Sequence, residues 1–362
     1  MSGKQKNKMN FDLGLWKTIA IFAGISFVPI LAWIYFFQKQ NYEKKKYVII
    51  TFFAGMMSII PIKLYEKYWD ISVWKLEHLN LFKYLDNVAG TQTVGSVLAF
   101  VIVSIIVSSA IFLFSALIMF VLEIFSRDND FSCYEKKVAK ISESPFLFVT
   151  IGAFIGFLTA FLALYFPEKV WFFVVVGMLE EYAKYLMLRF ADENKIGNVA
   201  DAISFAIIIA LGFAFVENVV YLSKFWFNTS QNFAGFTAFF VLRSTISVVA
   251  HVCFSAIVGY FYGIAHFSDE IYQEEVRENK HFLLKLIHKI FHLKAAPLFH
   301  EEKLLEGLLI AMLIHAFFNS LLEFELVIWV IPFIIGIFLY ILNLLHRHEN
   351  HIRRGNISCR IS

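Results

Sequence analysis

The stretch Val170–Arg189, VWFFVVVGMLEEYAKYLMLR, decides the fold. Its first ten residues are apolar or glycine, and its second half carries Glu180, Glu181 and Lys184. A helix that crosses a bilayer core of about 30 Å needs roughly 20 mainly apolar residues. The stretch therefore predicts a membrane-spanning helix with charge at membrane depth, where each charged group costs roughly 2.5–3.5 kcal/mol on insertion scales.

The composition of the whole chain agrees with a membrane location. Of its 362 residues, 59% are hydrophobic and 17% are charged, and the mean hydropathy is +0.66. These values exclude an ordinary soluble globular domain and predict an integral membrane protein surrounded by the lipid bilayer. The net charge of +3 is small, which argues against a nucleic-acid partner. The three cysteines are too few for a disulfide framework or a zinc knuckle.

The hydropathy pattern predicts an all-α, polytopic transmembrane bundle of about nine spans, or eight if the short second segment does not cross. The predicted spans are Leu15–Phe37, Tyr47–Lys63, Val94–Ile124, Pro145–Phe166, Val170–Arg189, Val199–Leu222, Ala238–His266, Lys303–Leu322 and Leu326–Leu345. The connections leave no room for a soluble domain, so residues 1–362 are expected to form a single membrane-embedded domain.

Within this domain, residues 1–145 carry no recognised motif, and residues 168–322 form the expected catalytic core. The connection 267–302 contains Phe282–Leu293, whose apolar and basic residues alternate with helical period. We expect this connection to be an amphipathic surface loop. It falls on the same side as the basic C-terminal tail, which predicts a cytoplasmic C-terminus.

Ionisable and polar side chains concentrate in the predicted fifth to eighth spans, whereas the fourth and ninth contain no charged residue or histidine. The residues are Glu180, Glu181 and Lys184; Glu217 and Asn218; Arg243, His251 and Ser255; and His315 and Asn319. At about 1.5 Å of rise per residue, the acids and histidines fall in one depth band of the bilayer. Charge inside a membrane usually faces a bundle interior and indicates a functional site.

The residue types leave several functions open. Carboxylates and imidazoles around a hydrated pocket can activate water for hydrolysis. His251, His315 and Glu217 could instead supply the two-histidine, one-carboxylate ligand set of a catalytic zinc, with Glu180 or Glu181 as the base. A proton-coupled transporter with a Glu/His relay is the alternative function, and a non-catalytic scaffold is a third.

The motifs Glu180-Glu181-x-x-Lys184, Gly212-Phe213-Ala214-x-x-Glu217-Asn218, Arg243 with His251-x-x-x-Ser255, and His315-x-x-x-Asn319 resemble, in this order, those of the PrsW family of bacterial intramembrane proteases. This family belongs with a wider group that includes the CAAX-processing prenyl endopeptidases. The resemblance covers about Val170 to Asn319.

The resemblance implies an intramembrane endopeptidase of the bacterial cell membrane that cleaves a membrane-tethered protein. Site-1 cleavage of an anti-sigma factor in a stress response is the implied example. Glu180 or Glu181 would activate water, and Asn319 would steady the oxyanion.

The resemblance leaves two possibilities open for the cofactor. Glu217, His251 and His315 would bind a metal, zinc being the candidate, or polarise the substrate. In the prenyl endopeptidase branch a histidine matches Glu217, so a metal-free glutamate mechanism also stays open. Lys184, Asn218, Arg243 and Ser255 would support the site.

Overall fold

The computed structural model describes residues 13–38, 45–69, 94–126, 145–166, 168–190, 196–228, 233–267 and 295–358. Within these ranges the chain forms helices and no β-strand. The helices are α1 (Leu13–Gln38), α2 (Lys45–Trp69), α3 (Val94–Ser126), α4 (Pro145–Tyr165), α5 (Glu168–Phe190), α6 (Val199–Asn228), α7a (Phe233–Leu242), α7b (Val248–His266), α8 (Ala295–Glu323) and α9 (Val327–Ser358). A π-helical turn, Arg243–Ser247, joins α7a to α7b into one continuous helix, α7.

The predicted helical membrane bundle is confirmed. Six of the described helices, α1, α3 and α6 to α9, are long and apolar enough to cross a membrane by length and composition. The apolar parts of α2 and α4 are shorter. Helix α5 is continuous, but Glu180, Glu181 and Lys184 interrupt its apolar run, and it is buried along almost its whole length.

Several helices extend beyond the predicted spans. Helix α2 continues past Lys63 to Trp69, and α9 continues past Leu345 to Ser358. Helix α6 continues past Leu222 to Asn228, and α7a begins at Phe233 rather than at Ala238. Helix α8 begins at Ala295, so the expected loop 267–302 ends before that residue. Pro297 lies in the first turn of α8, where a missing backbone N–H is tolerated. The amphipathic segment Phe282–Leu293 lies outside the described residues.

The helices form an inner group and an outer group. In the most apolar stretches of α6 and α7, 83% and 67% of the residues are buried, against 17% in α1 and 22% in α9. Helix α5 packs against α8, α6 and α7b, and α2 packs against both α5 and α6. Large apolar side chains of α1, α3, α4 and α9 are exposed at the outside of the bundle. Helices α5 to α8 therefore form the more buried group, although α7a and α8 also expose Val241, Leu313 and Phe317.

Two glycines allow α2 to lie directly against α6. A Cβ atom on Gly55 would collide with the backbone of Ile209, and one on Gly212 would collide with the backbone of Phe52. Small residues let helices approach closely in membranes, where packing rather than the hydrophobic effect drives association. This contact holds α2 over α6 beside the charged residues of α5.

Candidate active site

The acidic pair of α5 lies in the centre of the inner helices. Glu180, Glu181 and Lys184 are 3%, 0% and 3% exposed. Lys184 Nζ donates a hydrogen bond of 2.5 Å to Glu181 Oε1 and lies 4.8 Å from the centre of the Phe213 ring. The sequence allowed Lys184 to pair with either carboxylate, and in the structure it pairs with Glu181. A buried carboxylate keeps its charge at low cost only when it is paired in this way.

His315 of α8 lies against both carboxylates. Its Nδ1 atom is 2.7 Å from Glu181 Oε1, and its Nε2 atom is 3.6 Å from Glu180 Oε2. Gly177, one turn before Glu180, makes this approach possible, because a Cβ atom there would press on the His315 ring and on Asn319. The close crossing of α5 and α8 therefore sets the position of the imidazole.

His251 of α7b connects Lys184 to the next helix. Its Nδ1 atom is 3.1 Å from Lys184 Nζ, and its Nε2 atom is 2.8 Å from Glu217 Oε2. Because an ammonium group can only donate hydrogen bonds, Nδ1 accepts from Lys184 and Nε2–H donates to Glu217. The rings of His251 and His315 lie 5.2 Å apart, centre to centre.

Arg243 ties Glu217 to the π-helical turn of α7. Its NH2 atom is 2.7 Å from Glu217 Oε2, and its Nε–H donates a 3.2 Å hydrogen bond to Asn218 Oδ1. Its guanidinium carbon lies 4.3 Å from the centre of the Tyr221 ring. π-Helical turns often occur at functional sites, and this one begins at Arg243 itself. Glu217 is thus fixed by one cation while it accepts from His251.

The remaining two predicted residues lie beside this network. Asn319 Nδ2 donates a 3.0 Å hydrogen bond to the backbone oxygen of Phe173 on α5. Ser255 is buried one turn beyond His251, and its hydroxyl has no hydrogen-bond partner among the described residues. The structure therefore brings all ten predicted site residues to the inner four helices. We call Glu180, Glu181, Lys184, Glu217, His251 and His315 the polar centre.

Three residues of the polar centre could hold a metal ion. One ligand atom each from Glu180, His251 and His315 lies within 4.8 Å of the others. Two imidazoles and one carboxylate form the protein ligand set of several catalytic zinc sites. Both imidazoles also contact a carboxylate with the opposite ring nitrogen, Glu181 for His315 and Glu217 for His251. Such outer carboxylates commonly orient zinc-binding histidines.

The donor set therefore fits zinc, provided that Lys184 gives up its hydrogen bond to His251 when the ion binds. The His251 nitrogen that would face the ion, Nδ1, accepts a hydrogen bond from Lys184 in this structure. The predicted ligand Glu217 contacts Arg243 and His251, and its assignment as a metal ligand stays a prediction.

One contributor to the site, Gly177, was not predicted from the sequence, and it makes room for His315. It is a small residue in an apolar run, so only its helical spacing from Glu180 could have singled it out. Phe213, which belongs to the predicted Glu217 motif, lies 4.8 Å from Lys184 Nζ and 5.5 Å from the His251 ring. The Tyr221 ring lies 4.3 Å from the Arg243 guanidinium carbon.

The chain is similar to known proteins of one family. The family described as PrsW family intramembrane metalloprotease matches residues 145–345. The chain is 29% identical to Protease PrsW of Clostridioides difficile (strain 630) over 193 residues, which cover 51% of this chain and 68% of that protein.

Two further relatives match shorter segments. Protease PrsW of Geobacillus kaustophilus (strain HTA426) is 29% identical over 98 residues, 26% of this chain and 39% of that protein. Protease PrsW of Shouchella clausii (strain KSM-K16) is 29% identical over 100 residues, 27% of this chain and 42% of that protein. No solved structure matches the chain.

The family match covers more than half of the chain and includes α4 to α8 and the apolar part of α9. It confirms the predicted resemblance, and with it a peptidase that is an integral membrane protein. The chain belongs to the PrsW family of intramembrane metalloproteases.

Proposed function

We propose that the chain hydrolyses a peptide bond of a membrane-tethered protein at the polar centre. The observation that carries this proposal is the meeting of Glu180, His251 and His315 within 4.8 Å. These side chains come from three helices, α5, α7b and α8, and each is at most 3% exposed. The contacts of the two histidines also brace the helices, so the convergence of a further carboxylate, Glu180, on both imidazoles is what favours hydrolysis.

Glu181 is the residue we assign to water activation. Its Oε1 atom accepts from Lys184 and His315, whereas its Oε2 atom is buried without a hydrogen-bond partner among the described residues. Oε2 can therefore accept a proton from the attacking water and pass it to the leaving amine nitrogen. Proton transfer by a positioned carboxylate contributes roughly 10²- to 10⁴-fold to a rate.

Glu180, His251 and His315 are the residues that would hold a zinc ion. Zinc supplies a Lewis acid that polarises the peptide carbonyl and acidifies bound water. Glu217 accepts a hydrogen bond from the Nε2–H of His251 and so orients this ring, and Arg243 forms a salt bridge with Glu217. This assignment replaces Glu217 by Glu180 in the predicted ligand set, because Glu217 is already shared by Arg243 and His251.

Asn319 is assigned to the developing oxyanion. One of its amide hydrogens is used by the Phe173 backbone oxygen, which fixes the side chain and leaves the second hydrogen to donate. Removal of one oxyanion donor costs about 10²- to 10³-fold in kcat in a well-studied protease.

The substrate we propose is a protein with a single membrane span, such as an anti-sigma factor. A site formed by membrane-spanning helices, shielded by α2 and the outer helices, suits a peptide that is itself held in the membrane. The basic charges of the connection 267–302 and of the C-terminal tail support a cytoplasmic C-terminus in the cell membrane.

Metal content separates the roles of the two glutamates. The chain and its Glu180→Gln, Glu181→Gln, His315→Ala and Glu302→Gln variants are purified without added metal and analysed for elements. We expect about one zinc per chain in the wild type, Glu181→Gln and Glu302→Gln, because neither glutamate is a ligand, and loss in the other two. Glu302, exposed on α8, is the matched control.

Cleavage of a single-span reporter is measured on the same samples. We expect Glu181→Gln to keep its zinc and lose activity. Zinc that survives Glu180→Gln and His315→Ala unchanged would contradict the ligand assignment. An active wild type without any metal would instead leave Glu180 and Glu181 as a metal-free catalytic pair.

A further inference from the structure

A second set of buried polar side chains lies in the C-terminal half of α5. Tyr182, Tyr185 and Arg189 follow one another at i, i+3 and i+7, so they share one stripe of the helix. They are 0%, 1% and 7% exposed. Arg189 NH1 donates a 2.8 Å hydrogen bond to the Tyr185 hydroxyl oxygen. The stripe is about 10 Å long at 1.5 Å per residue, and the rings of its two tyrosines pack among buried apolar side chains.

Helices α7b and α8 face this stripe with polar residues of their own. Ser255 and Tyr262 lie one and three turns beyond His251 on the same side of α7b. Arg189 lies close enough to Tyr262 and to Glu301 of α8 to interact electrostatically with both. We call Tyr182, Tyr185, Arg189, Ser255, Tyr262 and Glu301 the polar column.

Several atoms of the polar column lack a protein partner. The Tyr182 hydroxyl, the Ser255 hydroxyl and Glu301 Oε2 are buried and have no hydrogen-bond partner among the described residues. Ser108 of α3 is an equally unpartnered buried hydroxyl, so Ser255 alone would not indicate a ligand. A tyrosine hydroxyl and a carboxylate oxygen are costlier to bury unpaired, and ordered water is their usual partner.

Arg189 strengthens this inference. Its guanidinium is 7% exposed, its one hydrogen bond to a described residue is the one to Tyr185, and no described carboxylate forms a salt bridge with it. A guanidinium has five N–H donors, and only one of those of Arg189 has an acceptor among the described residues. Arg189 and Glu301 are oppositely charged and form no direct hydrogen bond or salt bridge with each other, and ordered water often bridges such groups.

We propose that the polar column holds a file of ordered water that supplies the polar centre from the end of the bundle at which Arg189 and Glu301 lie. The proposal rests on the proposed hydrolysis, because each cleaved peptide bond consumes one water molecule. The hydroxyl of that water joins the carbonyl carbon, and its proton goes to the amine that leaves. Glu181, His251 and His315 are too deeply buried to receive this water directly from the surface.

Hydroxyl-radical labelling by X-ray radiolysis tests for this water in the full chain in lipid nanodiscs, with mass spectrometry as the readout. The matched control is Tyr260 of α7b, which packs among buried apolar side chains as Tyr182 does but is 8% exposed. If labelling followed surface exposure, Tyr260 would react faster than Tyr182. We expect Tyr182 to react at least about fivefold faster, because radicals form from water held against its ring. Labelling of Tyr182 no faster than that of Tyr260 would overturn the proposal.

The position of the outer end is tested with Glu301→Leu and its exposed neighbour Glu302→Leu. We expect Glu301→Leu to lower the labelling of Tyr182 severalfold and Glu302→Leu to leave it unchanged. Equal labelling in both variants would refute access at this end. Because no substrate is used, a chain that is labelled at Tyr182 but cleaves no protein would overturn the proposed hydrolysis and keep the water file.

Discussion

Helices α4 and α5 follow each other in the chain and have similar lengths, 21 and 23 residues, but they solve the problem of membrane burial in opposite ways. Helix α4 has no charged residue and exposes Phe157 and Phe161 to the lipid. Helix α5 carries Glu180, Glu181 and Lys184 and is enclosed by other helices. Lipid is as apolar as a protein core, so burial of α5 is required by its polar groups rather than by its apolar ones.

The largest effect in this comparison is expected from removing the counter-charge in α5. The Lys184–Glu181 pair is buried, whereas the Lys303–Glu306 pair of α8 has the same i, i+3 spacing and a similar length, 2.6 Å, with the Glu306 side chain 39% exposed. We expect Lys184→Met to destabilise the fold by about 3–5 kcal/mol, because it leaves a buried charge unpaired.

The matched variant Lys303→Met should cost about 1 kcal/mol or less, as partly exposed pairs do. The measurement is reversible unfolding in mixed micelles. Equal losses in the two variants would show that Glu181 is not held in a buried, charged state.

A smaller effect is expected where α2 packs on α6. We expect Gly212→Leu to destabilise the fold by about 1–3 kcal/mol, because the new side chain would collide with the backbone of α2. Gly336 of α9 is the control, because a Cβ atom there would meet nothing within 4 Å.

The same unfolding assay tests this contact. Gly336→Leu should change stability by less than about 0.5 kcal/mol, as surface substitutions usually do. A Gly212→Leu protein as stable as the wild type would mean that α2 does not lie directly on α6.

The smallest effect is expected at the outer surface of α4. Phe157 is 56% exposed, so Phe157→Leu exchanges one lipid-facing apolar side chain for another. We expect a change below about 0.5 kcal/mol in unfolding, with cleavage activity retained. A loss comparable to that of Lys184→Met would show that α4 packs against a further surface.

Much of the fold could be predicted from the sequence, because the length of each apolar run and the charged residues within it can be read directly. The nine predicted spans correspond to α1 to α9, and the ionisable block falls on the inner helices α5 to α8. Family membership supports a peptidase and removes the reason for a transporter. The start of α8 was missed because Glu301, Glu302 and Lys303 ended the apolar run, although the helix itself continues past it.

The partner choices within the site could not be predicted. Helical spacing places Lys184 near both Glu180 and Glu181. The hydrogen bond between His315 and Glu181 depends on how α5 is rotated against α8. The sequence did not predict that Glu217 lies between Arg243 and His251, and its predicted role as a metal ligand stays a prediction. Rotation and tilt depend on packing contacts such as the one at Gly177, which no local pattern encodes.

The central claim is that the charged inner helices enclose one hydrolytic site in which Glu181 acts on water. The most direct test is single-turnover cleavage of a single-span reporter by the wild type, Glu181→Gln and the exposed control Glu302→Gln, with products identified by mass spectrometry. We predict that Glu181→Gln lowers the rate at least about 100-fold while Glu302→Gln stays within about twofold of the wild type. A folded Glu181→Gln protein that cleaves at the wild-type rate would contradict the claim.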